Sequence, residues 1–331
     1  NTLFVITKIT KGVKMTNFKK IGLTALAGTL AATAYAQAGA LSVSGTARME
    51  YQSTTTNATD RFNTGGADSS TDAFAQNATM TFSGSGEMDN GHTVSYFQAL
   101  SAGALTSQGV TLDMGDMGTV SMASANLAGI GTIQDMVPNG GEQPWDDLGT
   151  THGGPADGVA SPHAGNRIGY STSAGGATIS AAVNYEFAGA TTSLAIAMPN
   201  LVEGLNIGVG IATDQASETV ENDIETAYIS YAMGAFSVGY QTTDIDVQTA
   251  SSDIERTSYG ISFAVNENFS IGYGVSDVEY EALTPDEESR GIGASYTVGG
   301  MKVGFINNKK ENLNGGTSDM EMNELQLTFA F

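Results

Sequence analysis

Apolar and polar residues alternate in short segments along most of the chain, and this alternation limits the folds that are possible. In residues 41–50, Leu, Val, Gly, Ala and Met alternate with Ser, Thr, Arg and Glu, and segments 79–86, 205–212 and 258–265 repeat the pattern. A period of two residues is typical of β-strands with one apolar face. Beyond the N-terminal region no segment approaches the about 20 apolar residues of a transmembrane helix. The sequence therefore predicts an all-β protein.

The polar face of these segments consists mainly of Ser, Thr, Gly and Asn. A soluble sandwich would present charged faces to solvent, whereas a transmembrane barrel is apolar outward and polar inward. Strands that span a membrane must close into a barrel, because lipid leaves unpaired backbone groups unsatisfied. We predict a 16-stranded antiparallel transmembrane β-barrel. Its predicted strands are 41–51, 76–88, 92–101, 107–114, 118–124, 166–173, 177–187, 190–198, 204–212, 224–233, 235–243, 257–265, 269–278, 289–298, 301–307 and 322–331.

The N-terminal region predicts export. Met15–Ala36 has a basic start, an apolar stretch and the small-x-small end Ala-Tyr-Ala, which is the pattern of a secretory signal peptide. Cleavage after Ala36 or after Ala38 fits this pattern. We expect residues 1–14 to be an upstream extension outside the native protein and residues 37–331 to form the barrel.

Charge and motifs exclude several classes of function. The first 36 residues contain five Lys and no acid, so the remainder has 8 basic and 35 acidic residues and a net charge of −27. Such a charge argues against nucleic acid as a partner, and the absence of Cys excludes disulfides. No nucleophile-elbow, dinucleotide or P-loop motif is present, and the three His match no metal-ligand spacing. We expect no enzyme activity, no cofactor and no metal centre.

These features together resemble the Gram-negative general porins, especially the acidic porins of marine alphaproteobacteria. The resemblance is carried by the signal peptide, the sixteen segments and the last strand, where Leu325, Leu327, Phe329 and Phe331 occupy alternate positions. A terminal Phe after such an alternation resembles the signal that the family's barrel-assembly machinery reads. The resemblance implies a channel in the bacterial outer membrane for passive diffusion of small hydrophilic solutes and ions. It also implies a homotrimer embedded in the lipid bilayer.

The long connection 123–165, the third external loop, resembles the family's loop that folds into the lumen and narrows it. We predict that acids of this loop line the constriction, with inward bases of the wall facing them, and that the pore prefers cations. The alternative is that the bases pair with neighbouring acids such as Glu50, Glu87 or Glu186. The predicted constriction residues are Asp135, Glu142, Asp146, Asp147, Arg48, Arg167 and Arg290.

Two further expectations concern the outer surface. The outward positions of strands 2, 4 and 5 are rich in Met, Gly and Ala, which permit close contact between proteins in a membrane, so we expect the trimer to form through strands 1–5. Acids cluster in 214–223, 244–255 and 279–288 and are either a solvated surface or weak sites for Ca²⁺ or Mg²⁺.

Two alternatives to a general porin remain at this point. One is a substrate-selective channel of the same architecture, and the other is a secreted acidic β-sandwich adhesin. A panel of unrelated solutes would separate the first from a general porin. Retention in the outer-membrane fraction would separate both channels from the adhesin.

Overall fold

The structure of the chain is a computed structural model, and it describes residues 41–56, 69–145, 148, 167–186, 189–217, 220–249 and 251–331. The signal peptide and the upstream extension predicted above lie outside these residues. The strands are β1 Leu41–Thr56, β2 Ser69–Glu87, β3 Thr93–Ser101, β4 Ala104–Asp113, β5 Thr119–Ala123, β6 Arg167–Ala174, β7 Ala177–Glu186, β8 Gly189–Val202, β9 Leu205–Ser217, β10 Val220–Met233, β11 Phe236–Val247, β12 Ile254–Asn266, β13 Phe269–Tyr280, β14 Glu287–Val298, β15 Met301–Glu311 and β16 Met320–Ala330. The described residues also include the short 3₁₀ helices η1 Gly115–Met117, η2 Gly129–Ile133 and η3 Leu313–Gly315.

The sixteen strands form one closed barrel. Each strand pairs antiparallel with its neighbours in the chain, and β1 pairs with β16. The predicted fold class and strand number are thus confirmed. Within the described ranges, no helix is long and apolar enough to cross a membrane.

The C-terminal residue takes part in closing the barrel. The Gly45 N–H donates to the carbonyl oxygen of Phe331 at 2.8 Å, and the Phe331 N–H donates to the carbonyl oxygen of Gly45 at 3.0 Å. The Phe331 ring lies against Gly45, where a Cβ atom would be 2.9 Å from two ring carbons. Phe331 therefore extends the β1–β16 pairing by one residue and covers the seam with its ring.

Side chains alternate between the lumen and the outer surface along each strand. On β16, Met322, Glu324 and Gln326 are buried, whereas Leu325 and Phe329 are exposed on the outside. The outer face of the barrel is apolar over most strands, as a lipid-facing surface must be. The predicted polarity, apolar outward and polar inward, is correct along β16 from Glu324 onward, whereas before it Met320 and Met322 face inward and Glu321 and Asn323 face outward.

The two ends of the barrel have different connections. The turn end carries the connections that follow even-numbered strands, such as 175–176, 234–235 and 299–300, and all are short. The loop end carries the connections that follow odd-numbered strands. It includes the long segment 124–166, but also two-residue connections such as 102–103. The sequence had also predicted that long and short connections alternate strictly along the chain, and this is wrong.

Several strands extend further toward the loop end than the sequence predicted. The acidic segment 214–223 was expected to be a loop, but β9 and β10 occupy most of it, and β11 continues through Asp244 and Asp246. These two acids face outward, whereas Ile224 and Ile245 face inward and are buried. Here the acids face outward and the apolar residues face inward, which is the reverse of the polarity expected for a lipid-facing strand, so the segment was not recognised as strand. Water on the outer face at this height explains why acids are tolerated there.

The closure of the barrel predicts unequal effects for two C-terminal substitutions. Phe331→Ser removes the ring over the β1–β16 seam and should lower the amount of protein in the outer membrane and increase its degradation in the periplasm. Phe329→Ser is the control, because it also removes an outward ring from β16 but leaves the seam covered, and a single polar change near the interface costs little. Quantitative blotting of membrane fractions measures both. Equal yields for wild type and Phe331→Ser would contradict the role of the terminal residue.

Candidate functional site: the lumen and its inner loop

A loop from the loop end of the barrel runs along the inner wall. We call residues 124–145 the inner loop; it follows β5 and begins the connection predicted to narrow the lumen. The Gly129 N–H donates to the Ser180 hydroxyl of β7 at 2.9 Å, and the Ile130 N–H donates to the Ser193 hydroxyl of β8 at 3.2 Å. Further along, the Asn308 amide of β15 donates to the carbonyl oxygen of Gln143 at 3.0 Å. The inner loop therefore passes from β7 to β15 around the circumference of the barrel.

The first part of the inner loop is held by apolar packing. Ile130 and Ile133 of η2 are each 2% exposed, and they cover an apolar area of the inner wall. Burial of an Ile side chain contributes about 1.5–3 kcal/mol, so this contact is a strong anchor. The wall residues of this area are Ala195, Ala212, Ile224, Tyr228 and Ile245.

Gln241 of β11 holds the middle of the inner loop. Its side-chain oxygen accepts a hydrogen bond from the Met136 N–H at 2.9 Å, and its amide donates to the carbonyl oxygen of Ile133 at 2.9 Å. Gln241 is 1% exposed. Buried backbone groups need hydrogen-bond partners. The Gln241 side chain provides them for one N–H and one carbonyl of the loop where the loop leaves η2.

Asp135 faces the lumen from the inner loop. Its carboxylate accepts a hydrogen bond from the Gln143 side chain, and the Trp145 indole donates to the Gln143 side-chain oxygen at 2.7 Å. Asp135 is exposed to the lumen, but the protein around it in the barrel removes part of its hydration. This desolvation raises the pKa of Asp135, and the hydrogen bond from Gln143 partly offsets the rise. Asp135 is thus an exposed acid of the inner loop, and its predicted role at the constriction stays a prediction.

Glu142 lies at the far end of the inner loop, against β16 and β1. It accepts a hydrogen bond from the Gln326 side chain, and its carboxylate is 4.0 Å from the Arg48 guanidinium. The Arg48 Nε atom is also 2.6 Å from the carboxylate of Glu50. Arg48 therefore contacts the acid of the loop directly, and it also pairs with its neighbour on the strand. The pair with Glu50 is the local pairing given as the alternative, and a role of Arg48 in the constriction stays a prediction.

The other two predicted bases do not face the loop acids. Arg167 points inward from β6, but it is 8% exposed, lies behind the inner loop and donates to the Asn126 side chain. The prediction that Arg290 faces the lumen is wrong. Its side chain is on the outer surface, where it pairs with Glu288 and with Glu311 at 2.7 Å. The adjacent inward position is occupied by the fully buried Ser289. Asp146 and Asp147 lie outside the described residues.

Two inward bases were missed by the sequence analysis. Lys310 of β15 forms a completely buried ion pair with Glu287 of β14 at 3.2 Å, and Arg256 of β12 is 1% exposed. Both residues lie where the strands continue beyond the predicted boundaries. The sequence shows no alternation through 307–310 that could have identified Lys310, because all four residues are polar and the run resembled a loop.

The wall of β1–β5 is lined by hydroxyl groups. The Ser42 and Ser83 hydroxyls are 2.6 Å apart, and the Thr46 and Thr79 hydroxyls are 2.7 Å apart. These cross-strand pairs satisfy each other while leaving further acceptor positions toward the lumen. The described inner-loop contacts with this wall are at its two ends, Ser124 with Gln108 of β4 and Glu142 with Arg48 of β1, and the paired hydroxyls of β1 and β2 border the open part of the lumen.

Comparison with known proteins identifies the family. The family model of the Gram-negative porin matches residues 22–316. The chain belongs to the Gram-negative porin family. It is therefore a protein of the bacterial outer membrane, and its fold is a channel fold. The adhesin alternative is excluded, because a closed barrel is not a sandwich.

Solved porin structures share the fold of this porin at low identity. An anion-selective porin from Comamonas acidovorans is 15% identical and superposes with a TM-score of 0.65, covering 88% of this chain and 100% of its own. A multiply substituted porin of Rhodopseudomonas blastica is 16% identical, with a TM-score of 0.62 and the same coverage. No curated protein matches the sequence. Among the described residues, no group of acidic or His side chains is arranged to hold a metal ion.

The apolar anchor of the inner loop predicts how the loop can be released. Ile130→Ala and Ile133→Ala combined should weaken its docking, because each Ile-to-Ala change at a buried position costs about 2–5 kcal/mol. Limited proteolysis of the purified porin should then cut within residues 124–145 while the barrel stays intact, which gel mobility with and without heating reports. Ile292→Ala, a change on the outer face, should leave the loop resistant. Equal resistance of the double variant and wild type would show that the anchor lies elsewhere.

Proposed function

We propose that this porin forms a water-filled channel for passive diffusion of small hydrophilic solutes and ions. The observation that carries this proposal is the path of the inner loop, which follows the wall and leaves the lumen beside β1–β5 lined by paired hydroxyls. Such a lining offers hydrogen bonds to many solutes, and its charged groups on β1, Arg48 and Glu50, pair with each other, while Phe97 contributes a single inward ring. A general porin is therefore favoured over a substrate-selective channel.

We further propose that the channel prefers cations. Asp135 faces the lumen, and of the described inward bases Arg167 is covered and Arg48 is paired, whereas Lys302 of β15 is exposed near the turn end, away from the inner loop. A carboxylate about 5 Å from a cation in water contributes roughly 0.8 kcal/mol, which is about a fourfold local enrichment before screening. Salt screens charges beyond about 8 Å, so acids near the path outweigh the overall charge of the chain. The similar porin from Comamonas acidovorans is described as anion-selective, so the sign of selectivity differs between porins of this fold.

The selectivity is tested by reversal potentials across a KCl gradient in planar bilayers. Wild type should prefer K⁺, and Asp135→Asn should lower the preference by up to about fourfold. Asp146→Asn/Asp147→Asn tests the remaining predicted acids of the loop. Asp246→Asn is the matched control, because this acid lies on the outer surface of β11, away from the path. An anion-preferring wild type would refute the proposal, whereas a preference that none of the loop variants changes would place the selective charges elsewhere.

We also propose that the porin is a homotrimer joined through β1–β5. The shortness of β5 supports this surface, because it makes the barrel wall low there. β5 has only five residues and spans about 17 Å even without tilt, whereas the apolar band of an outer-membrane barrel is about 25 Å tall. The β3–β4 turn at residues 102–103 is equally tight, and Ala102 and Gly103 both have positive φ, as a two-residue hairpin turn requires. A low wall next to small outward residues is better covered by protein than by lipid.

Chemical cross-linking in native membranes tests this assembly. Cysteines introduced at outward positions of β1–β5, for example Met122→Cys, should give cross-linked trimers. Ile261→Cys on β12 is the control, because it is an outward residue on the opposite side of the barrel and should remain monomeric. Monomers only, from every position, would exclude the trimer. Cross-links from β12 in place of β5 would put the interface on the other side.

We propose two further partners. Recognition by the barrel-assembly machinery would act on the C-terminal strand that ends at Phe331. Weak binding of Ca²⁺ or Mg²⁺ would act on the outward acids of the loop end. Glu225, Asp244, Glu255 and Glu279 lie directly opposite one another on four successive strands, where like charges destabilise the sheet unless cations intervene.

A further inference from the structure

Glycines line the inner wall where the inner loop lies against it. They occur at inward positions where backbone or side-chain atoms of the loop lie against the sheet. They are Gly210 on β9, Gly239 on β11, Gly260 on β12, Gly272 and Gly274 on β13, and Gly291 and Gly293 on β14.

At three of these glycines the loop approaches too closely for any other residue. A Cβ atom at Gly272 would be 2.2 Å from the amide nitrogen of Gly140, and one at Gly260 would be 2.2 Å from the carbonyl oxygen of Pro138. At Gly239 the nearest atom would be the Pro138 Cδ at 2.5 Å. Nonbonded carbon contacts are normally about 3.5–4.0 Å. The loop therefore rests at a depth that only glycine in the wall permits.

The fit is reciprocal at Gly140. A Cβ atom on this loop residue would be 2.0 Å from the amide nitrogen of Gly272 and 2.3 Å from the carbonyl carbon of Ile271. The Ser270 hydroxyl donates to the carbonyl oxygen of Gly140 at 3.2 Å. Loop backbone thus lies directly on wall backbone, and a wall hydroxyl fixes it there.

We propose that these wall glycines set the width of the pore. They are positioning residues: by letting the inner loop lie on the wall, they keep its bulk out of the lumen and hold Asp135 and Glu142 at their places beside the solute path. A single methyl group on the wall would lift the loop toward the barrel axis by about 1 Å, the difference between the clashing and the ordinary contact distance. This inference rests on the channel function proposed above.

An inward glycine away from the loop provides the contrast. Gly304 on β15 also faces the lumen, but the nearest atom to its Cβ position is the Gln326 Cβ at 3.6 Å, an ordinary contact. If the barrel needed glycine at inward positions in general, substitution of Gly304 by Ala would lower conductance as much as substitution of Gly239. If the glycines serve only to seat the loop, substitution of Gly304 has no effect.

The test compares single-channel conductance and solute flux for four proteins: wild type, Gly239→Ala, Pro138→Ala and the double variant Gly239→Ala/Pro138→Ala. Gly239→Ala should lose conductance and should lose more flux for a trisaccharide than for a monosaccharide. The double variant should recover both, because the Pro138→Ala change removes the ring atoms that the added methyl group meets. Gly304→Ala is the matched control and should behave like wild type. Gel mobility with and without heating verifies that each barrel is folded.

The outcomes separate this inference from the proposed function. A wild type that does not conduct would overturn the channel proposal itself. A conducting wild type with an unchanged Gly239→Ala, or a double variant no better than Gly239→Ala, would overturn the role of the glycines alone. If Gly239→Ala fails to assemble, Gly274→Ala with and without Pro144→Ala gives the same comparison, because the added methyl group there meets Pro144 at only 3.0 and 3.1 Å.

Discussion

Every backbone N–H and C=O group that lies in lipid must find its partner within the protein. Sixteen strands meet this requirement only if the first pairs with the last, and residues near both ends of the sheet make this pairing. Gly45 and Phe331 exchange two hydrogen bonds at the seam. Because the closed sheet has no free edge, the outer face needs only apolar side chains, and the inner face is left to polar groups and to the inner loop.

The inner loop lies against the inner wall of the barrel as a second, partial layer. Ala and Ile side chains of the wall pack against the two Ile side chains of η2. Gln241 and wall hydroxyls form hydrogen bonds with the backbone of the loop. Where the loop lies closest to the wall, the wall residue is glycine. This one segment thereby gives a wide cylinder an asymmetric lumen, with the loop on one side and the hydroxyls of β1–β5 on the other.

The two layers, barrel wall and inner loop, also determine which charged groups reach the solute path. Inward bases of β6 and of the upper parts of β12 and β15 are covered, so their charges act on neighbouring protein groups rather than on the solute path. Arg48 remains partly exposed, but it contacts Glu50 and Glu142 and so offsets them. Asp135 has no ionic partner among the described contacts of its carboxylate, and it faces water in the lumen. The local balance beside the path is therefore set by a few loop residues, not by the net charge of the chain.

The all-β class, the sixteen strands, the two faces and the C-terminal strand could be predicted from the residues alone, because a period of two is a local property that needs no partner to be read. The inward-folding loop, with Asp135 and Glu142, was expected from the resemblance to general porins and not from the alternation. Which inward bases reach the path became visible only in the closed barrel. Arg290 was misplaced by one position in the alternation, which turns a side chain to the opposite face. Lys310 and Arg256 were missed because strands that rise above the lipid have polar residues on both faces. Finally, the contacts between the inner loop and the wall join residues far apart in the chain, such as Gly140 and Gly272. Such contacts exist only once the barrel has closed.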